Sequence, residues 1–228
     1  MDAVQVNNIA KVQQLIKDAS FYGVLKQMVN IPDKDGRSPL WSASFDGYTN
    51  IVSLLLDAGA EINQSENTGS TPLCVASQEN HLPVVKELVS HGADINKARN
   101  DGVSPAYKAA QKGNIEVLKF LIAKGVDVGQ KVNQNYTLLH VAAYNNQHSI
   151  AEMLLKEPKG KKLIDDTSNI SNDTPLTSAI YGDGDLAMTK LLMNAGADKD
   201  KAGDKNRTPL EWARAKGKSD IVKYLQNL

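Results

Sequence analysis

Cysteine is almost missing from this chain of 228 residues, since Cys74 stands alone. One thiol cannot form the disulfide framework of a small secreted domain, so a cytoplasmic home is expected, with the nucleus as the alternative. Charge of one sign is missing too: 26 Lys and Arg balance 26 Asp and Glu, for a formal net charge of zero. That argues against a nucleic-acid binder or a membrane-surface binder. Apolar runs stop at four or five residues, too short to cross a bilayer, and the N-terminus has neither the basic start nor the apolar stretch of a signal peptide.

The usual chemical signatures are missing as well. No pair among His81, His91, His140 and His148 has metal-ligand spacing, and no Cys-His arrangement is brought together by sequence. The run Gly182-Asp183-Gly184-Asp185 is acidic but has neither the ligand series of a calcium loop nor the Gly-Lys-Ser/Thr of a phosphate loop. It reads as a turn. No catalytic residue, metal or cofactor is expected, and the chain is not expected to be an enzyme.

What is present is a repeat. Ser38-Pro39-Leu40, Thr71-Pro72-Leu73, Ser104-Pro105-Ala106, Thr137-Leu138-Leu139, Thr174-Pro175-Leu176 and Thr208-Pro209-Leu210 recur at spacings of 33, 33, 33, 37 and 34. Four residues after each proline position stands an alanine: Ala43, Ala76, Ala109, Ala142, Ala179 and Ala213. A small residue there lets two antiparallel helices approach closely. Apolar residues at helical spacing follow, as in Ile51, Val52, Leu55 and Leu56, and a glycine such as Gly59, Gly92, Gly125 or Gly196 closes that helix. Three residues before each proline position lie Gly36, Gly69, Gly102, Asn135, Asn172 and Asn206, the two residue types that best accept a left-handed backbone.

A period of 33 with this tetrapeptide resembles the ankyrin family. The resemblance implies an all-α fold, a solenoid of stacked helix–turn–helix units with β-turn or hairpin tips. It spans residues 1–228 as one domain, with units near 33–65, 66–98, 99–131, 132–168 and 169–202 between an N-terminal cap (1–32) and a C-terminal cap (203–228). Two spacings depart from the period. One inserts Glu-Pro-Lys-Gly-Lys-Lys into a loop over 156–172, and the other lengthens the turn at Tyr181–Asp185. A short extra helix is expected around Tyr22, Val24, Leu25 and Met28, and both ends should present polar outer faces, as a complete capped array would.

The family resemblance also implies binding of a protein partner along a concave groove lined by tips and first helices. Carried over position by position, the candidate partner-binding residues are Arg37, Phe45, Asp46, Gln78, Glu79, Gln111, Lys112, Tyr136, Tyr144, Asn145 and Tyr181. The tip positions Asn133 and Gln134 share that register. Trp41, Tyr107 and His140 stand where the family places a histidine that ties tips together, and Trp212 is expected in the core. The chain should act as a monomeric scaffold or adaptor. The alternatives are a proteasome-assembly chaperone of the gankyrin type, a pathogen effector, or an enzyme or enzyme regulator with its site in the 156–172 loop.

Overall fold

The computed structural model describes residues 4, 7–21, 23–129, 131, 135–167 and 170–228; Tyr22, Asn133 and Gln134 lie outside them. Among the described residues there are fifteen α-helices, a 3-10 turn at Asp204–Asn206 and no strand. The chain divides into two compact units, residues 1–109 with 116–124, and residues 110–115 with 125–228.

The first unit begins with α1 (Ile9–Phe21) and the four-residue α2 (Leu25–Met28), then holds the pairs α3 (Pro39–Phe45) with α4 (Thr49–Asp57) and α5 (Pro72–Gln78) with α6 (Leu82–Ser90). The pair α7 (Pro105–Lys112) and α8 (Ile115–Ala123) straddles the division. The second unit contains α9 (Leu138–Tyr144), α10 (His148–Lys156), α11 (Pro158–Lys161), α12 (Pro175–Tyr181), α13 (Leu186–Asn194), α14 (Pro209–Ala215) and α15 (Ser219–Gln226). First helices pack on first helices (α3 on α5, α9 on α12, α12 on α14), and second on second (α4 on α6, α13 on α15).

Each first helix starts the same way. Ser38, Thr71, Ser104, Thr137, Thr174 and Thr208 accept a hydrogen bond from the backbone N–H three residues on, the usual N-cap arrangement. Proline follows in five of the six, where its missing N–H costs nothing. In the second unit His140, Thr177 and Glu211 also reach back to the cap and close a capping box. Trp41 and Cys74, at the same register in the first unit, have side chains that cannot do so. All six repeat alanines are fully buried. The six tip residues Gly36, Gly69, Gly102, Asn135, Asn172 and Asn206 all have positive φ.

Two expectations fail. The 156–172 insertion is not a plain loop: Pro158 starts the helical turn α11, and Gly160 is buried so tightly that a Cβ would run into the Leu154 carbonyl. The N-terminal end is only partly polar: Lys11, Gln13, Gln14, Lys17 and Asp18 are exposed on α1, but Leu15, Phe21, Val24, Met28 and Ile31 are exposed beside them. The C-terminal end does present polar residues, with Lys223 and Gln226 exposed on α15.

Candidate functional site

The candidate residues fall into two sets. In the first unit, Arg37 and Phe45 flank Trp41: the guanidinium lies 5.1 Å from the indole centroid, and the Phe45 ring stacks on it at 5.5 Å. Phe45 is 42% exposed, and Asp46 is exposed beside it. Gln78 and Glu79 are half-buried and bonded to each other at 2.7 Å. Arg37 pairs with Asp35 at 3.4 Å.

In the second unit, Tyr144 and Tyr181 end α9 and α12. Each is 43% exposed, and their ring centroids are 6.3 Å apart. Tyr181 meets Trp212 edge-on at 5.0 Å. Trp212 is 4% exposed, as a core residue should be. The Lys216 ammonium sits 3.8 Å above the Tyr181 ring, and the Arg207 guanidinium lies 4.8 Å from the Trp212 centroid. The result is a contiguous strip, Tyr144–Tyr181–Trp212, with a cation on each of the last two rings.

The remaining candidates of this unit are not equivalent. Lys112 is exposed, Gln111 is half-buried, and Asn145 is turned to the Val141 carbonyl at 2.8 Å. Tyr136 is half-buried and donates its hydroxyl to Ser171 at 2.9 Å, so it serves the tips rather than extending the strip.

Of the residues at the family's histidine position, His140 does tie the tips. Its Nδ1 accepts the Thr137 N–H, which leaves Nε2–H to donate to the carbonyls of Asp166 and Asp173 at 3.0 and 2.9 Å. Burial pushes its pKa below the usual histidine value, against the bonds from Asp173 and Asp166. Trp41 corrects the expectation: its buried Nε1 makes no hydrogen bond, and the ring serves as the platform for Phe45 and Arg37.

One set of residues escaped sequence reasoning. Just after the left-handed residue between the paired helices stand His81, Gln147 and Lys218. His81 Nε2–H donates to the Phe45 carbonyl at 2.9 Å, and Gln147 donates to Gln111 at 3.3 Å. Lys218 donates to Ala179, Gly182 and Gly184 at 3.4, 2.8 and 2.6 Å. Each holds the carbonyl end of a preceding first helix, where the candidate residues sit. The acidic Gly182–Asp185 turn therefore already holds a cation, the Lys218 ammonium. Burial lowers that ammonium's pKa, opposed by Asp183 and Asp185. Asp183 N–H donates to the Tyr144 carbonyl at 2.8 Å, which links this turn to the strip. Among the described residues no three His, Cys, Asp or Glu side chains gather as a metal centre would need.

The sequence model for the family described as ankyrin repeats (3 copies) matches residues 1–99, 96–166 and 160–227. The chain belongs to the ankyrin-repeat family. Among solved structures it is similar to the human ASB11 ankyrin repeat domain, with 24% identity, a TM-score of 0.82, and coverage of 99% of this chain and 95% of that one. That likeness shows the ankyrin solenoid fold. Ankyrin repeats generally serve protein–protein interaction and are typically not catalytic. Among the described residues no helix is long and apolar enough to cross a membrane.

Proposed function

We propose that this ankyrin-repeat chain is a scaffold or adaptor whose main partner surface is the Tyr144–Tyr181 strip of the second unit. The observation that carries the reading is two half-exposed tyrosines side by side on the ends of packed helices, in a chain where aromatics are only 5%. Large amphipathic rings held by a rigid frame bind at low entropic cost and are typical interface anchors. The frame is rigid for stated reasons: α9 packs on α12, and Lys218 and Asp183 fix the carbonyls at the strip's edge. Phe45 with Arg37 and Asp46 is a second, smaller anchor in the first unit. The lone Cys74, buried, suits a reducing compartment. No specific feature favours the gankyrin-type or effector version. In the 156–172 segment, Lys156 and Lys159 pair with Glu152 and Asp127.

The test is quantitative affinity capture with wild-type, Phe45→Ala and Tyr144→Ala/Tyr181→Ala proteins. The double variant should lose the retained proteins, Phe45→Ala should weaken their retention, and all three should keep a cooperative thermal transition. Unchanged retention by the folded double variant would refute the placement.

A further inference from the structure

An arginine lies over a tryptophan at two tips, but among the described residues only one of the two has a carboxylate at ion-pair distance. Arg37 lies over Trp41 and pairs with Asp35, two residues before it. Arg99, four residues earlier in the repeat register of another tip, pairs with Asp101 at 3.4 Å. Arg207 lies over Trp212, yet the residue two before it is Lys205, and among the described residues no carboxylate lies within ion-pair distance of its guanidinium, the Glu211 charge acting on it only from farther off. The nearby Glu211 carboxylate accepts from the N–H and hydroxyl of Thr208 at 2.7 and 3.0 Å, so it is held by the helix cap. Lys216 repeats the pattern, its ammonium resting on Tyr181 with no carboxylate at ion-pair distance among the described residues. Stacking fixes a guanidinium plane while leaving its edge N–H donors available for a carboxylate.

We infer that the Arg207 and Lys216 cations, set on the Trp212–Tyr181 rings, receive acidic side chains of a partner protein's peptide segment. The inference rests on the proposed binding role of the strip and gives its partner a chemistry. Carboxylates fit both cations, the adjoining Tyr181 and Tyr144 rings take the apolar parts of the same segment, and Lys205 adds attraction at the approach. A basic segment would meet Lys205, Arg207 and Lys216 together and be repelled.

The experiment is a titration of the full chain with acetyl-hexaglutamate-amide, hexalysine and a twelve-nucleotide oligothymidylate. The readouts are the Trp212 indole N–H signal, assigned with Trp41→Phe, and the backbone amides of the last two first helices. Hexaglutamate should shift these signals saturably and in a salt-dependent way. Arg207→Gln and Lys216→Gln should each weaken it by about 5- to 20-fold, and Arg207→Lys should recover only part of the loss. Lys205→Asp, which restores the acid found two residues before Arg37, should also weaken it, and Lys17→Gln, at an exposed cation of α1, should have no effect. The inference is overturned if hexaglutamate leaves these signals in place, if the folded Arg207 and Lys216 variants bind it as wild type does, or if hexalysine or the oligonucleotide binds there instead. None of those results touches the tyrosine capture test, so failure of the inference and failure of the scaffold reading remain distinguishable.

Discussion

The two units solve the same packing problem with different side chains. The first keeps the 33-residue spacing and has Trp41 and Cys74 at the third helical position, neither of which closes a capping box. The second breaks the spacing twice and fills that position with His140, Thr177 and Glu211, each of which closes a capping box. The clamps differ likewise, since His81 holds one carbonyl while Lys218 holds three. Where the repeat is regular, backbone geometry and apolar burial suffice. Where insertions disturb it, polar side chains take over the fixing of helix ends, and there the exposed tyrosine pair sits.

The largest expected effect tests whether the units are energetically separate. Leu121→Ala in the first and Leu154→Ala in the second each remove a fully buried side chain at the same register, at a cost of about 2–5 kcal/mol. In urea titrations, each should lower the transition of its own unit more than the other's. One shared transition, shifted alike by both, would merge the two units into one.

Next come the clamps. Lys218→Met should cost about 1.5–3 kcal/mol, since a charged donor with three acceptors is lost, and His81→Ala only about 0.5–1.5 kcal/mol. Hydrogen exchange at Tyr181–Asp185 should rise in the lysine variant, and equal costs for the two would erase the contrast. Smaller still is the cap: Thr208→Ala, which opens a capping box, should cost about 1 kcal/mol, and Thr71→Ala, with no box, somewhat less.

The comparison also extends to pH. Burial disfavours the charged form of His140, so its pKa in the fold lies below the ordinary histidine value. Its contribution is complete above that value and is lost as pH falls through the depressed folded pKa, because the unfolded chain binds the proton first. Asp173 acts in the opposite sense, since burial raises its carboxyl pKa, opposed by the Asp204 N–H and the Thr177 hydroxyl. In an Asp173→Asn background, the melting temperature should therefore fall from pH 7 to pH 5 more steeply with His140 than with His140→Gln. Parallel slopes would contradict the neutral, buried assignment.

Much of this was legible in the sequence, and the rest failed for physical reasons. The left-handed tips and the buried alanines could be read directly because one backbone conformation and one close approach admit few residue types. The clamps were hidden because a carbonyl needs only a donor, so His81, Gln147 and Lys218 share a role without sharing chemistry. The α11 turn was missed because four residues show no periodicity. Of the candidate anchors, Tyr144, Tyr181 and Phe45 are exposed, while Tyr136 is half-buried and bonded to Ser171, a partner 35 residues away in sequence that no local pattern reveals. Trp212 was read as core, but its part as the base of the strip needed the fold.

The central claim is that the second unit's tyrosine pair meets the partner. Site-specific photocrosslinking tests it most directly, with benzoylphenylalanine placed at position 144, 181 or 45 of the full chain in cells. Positions 144 and 181 should yield the same discrete protein adduct, with a weaker adduct or none from 45. Adducts from 45 alone, or none from 144 and 181 while 45 reacts, would contradict the account.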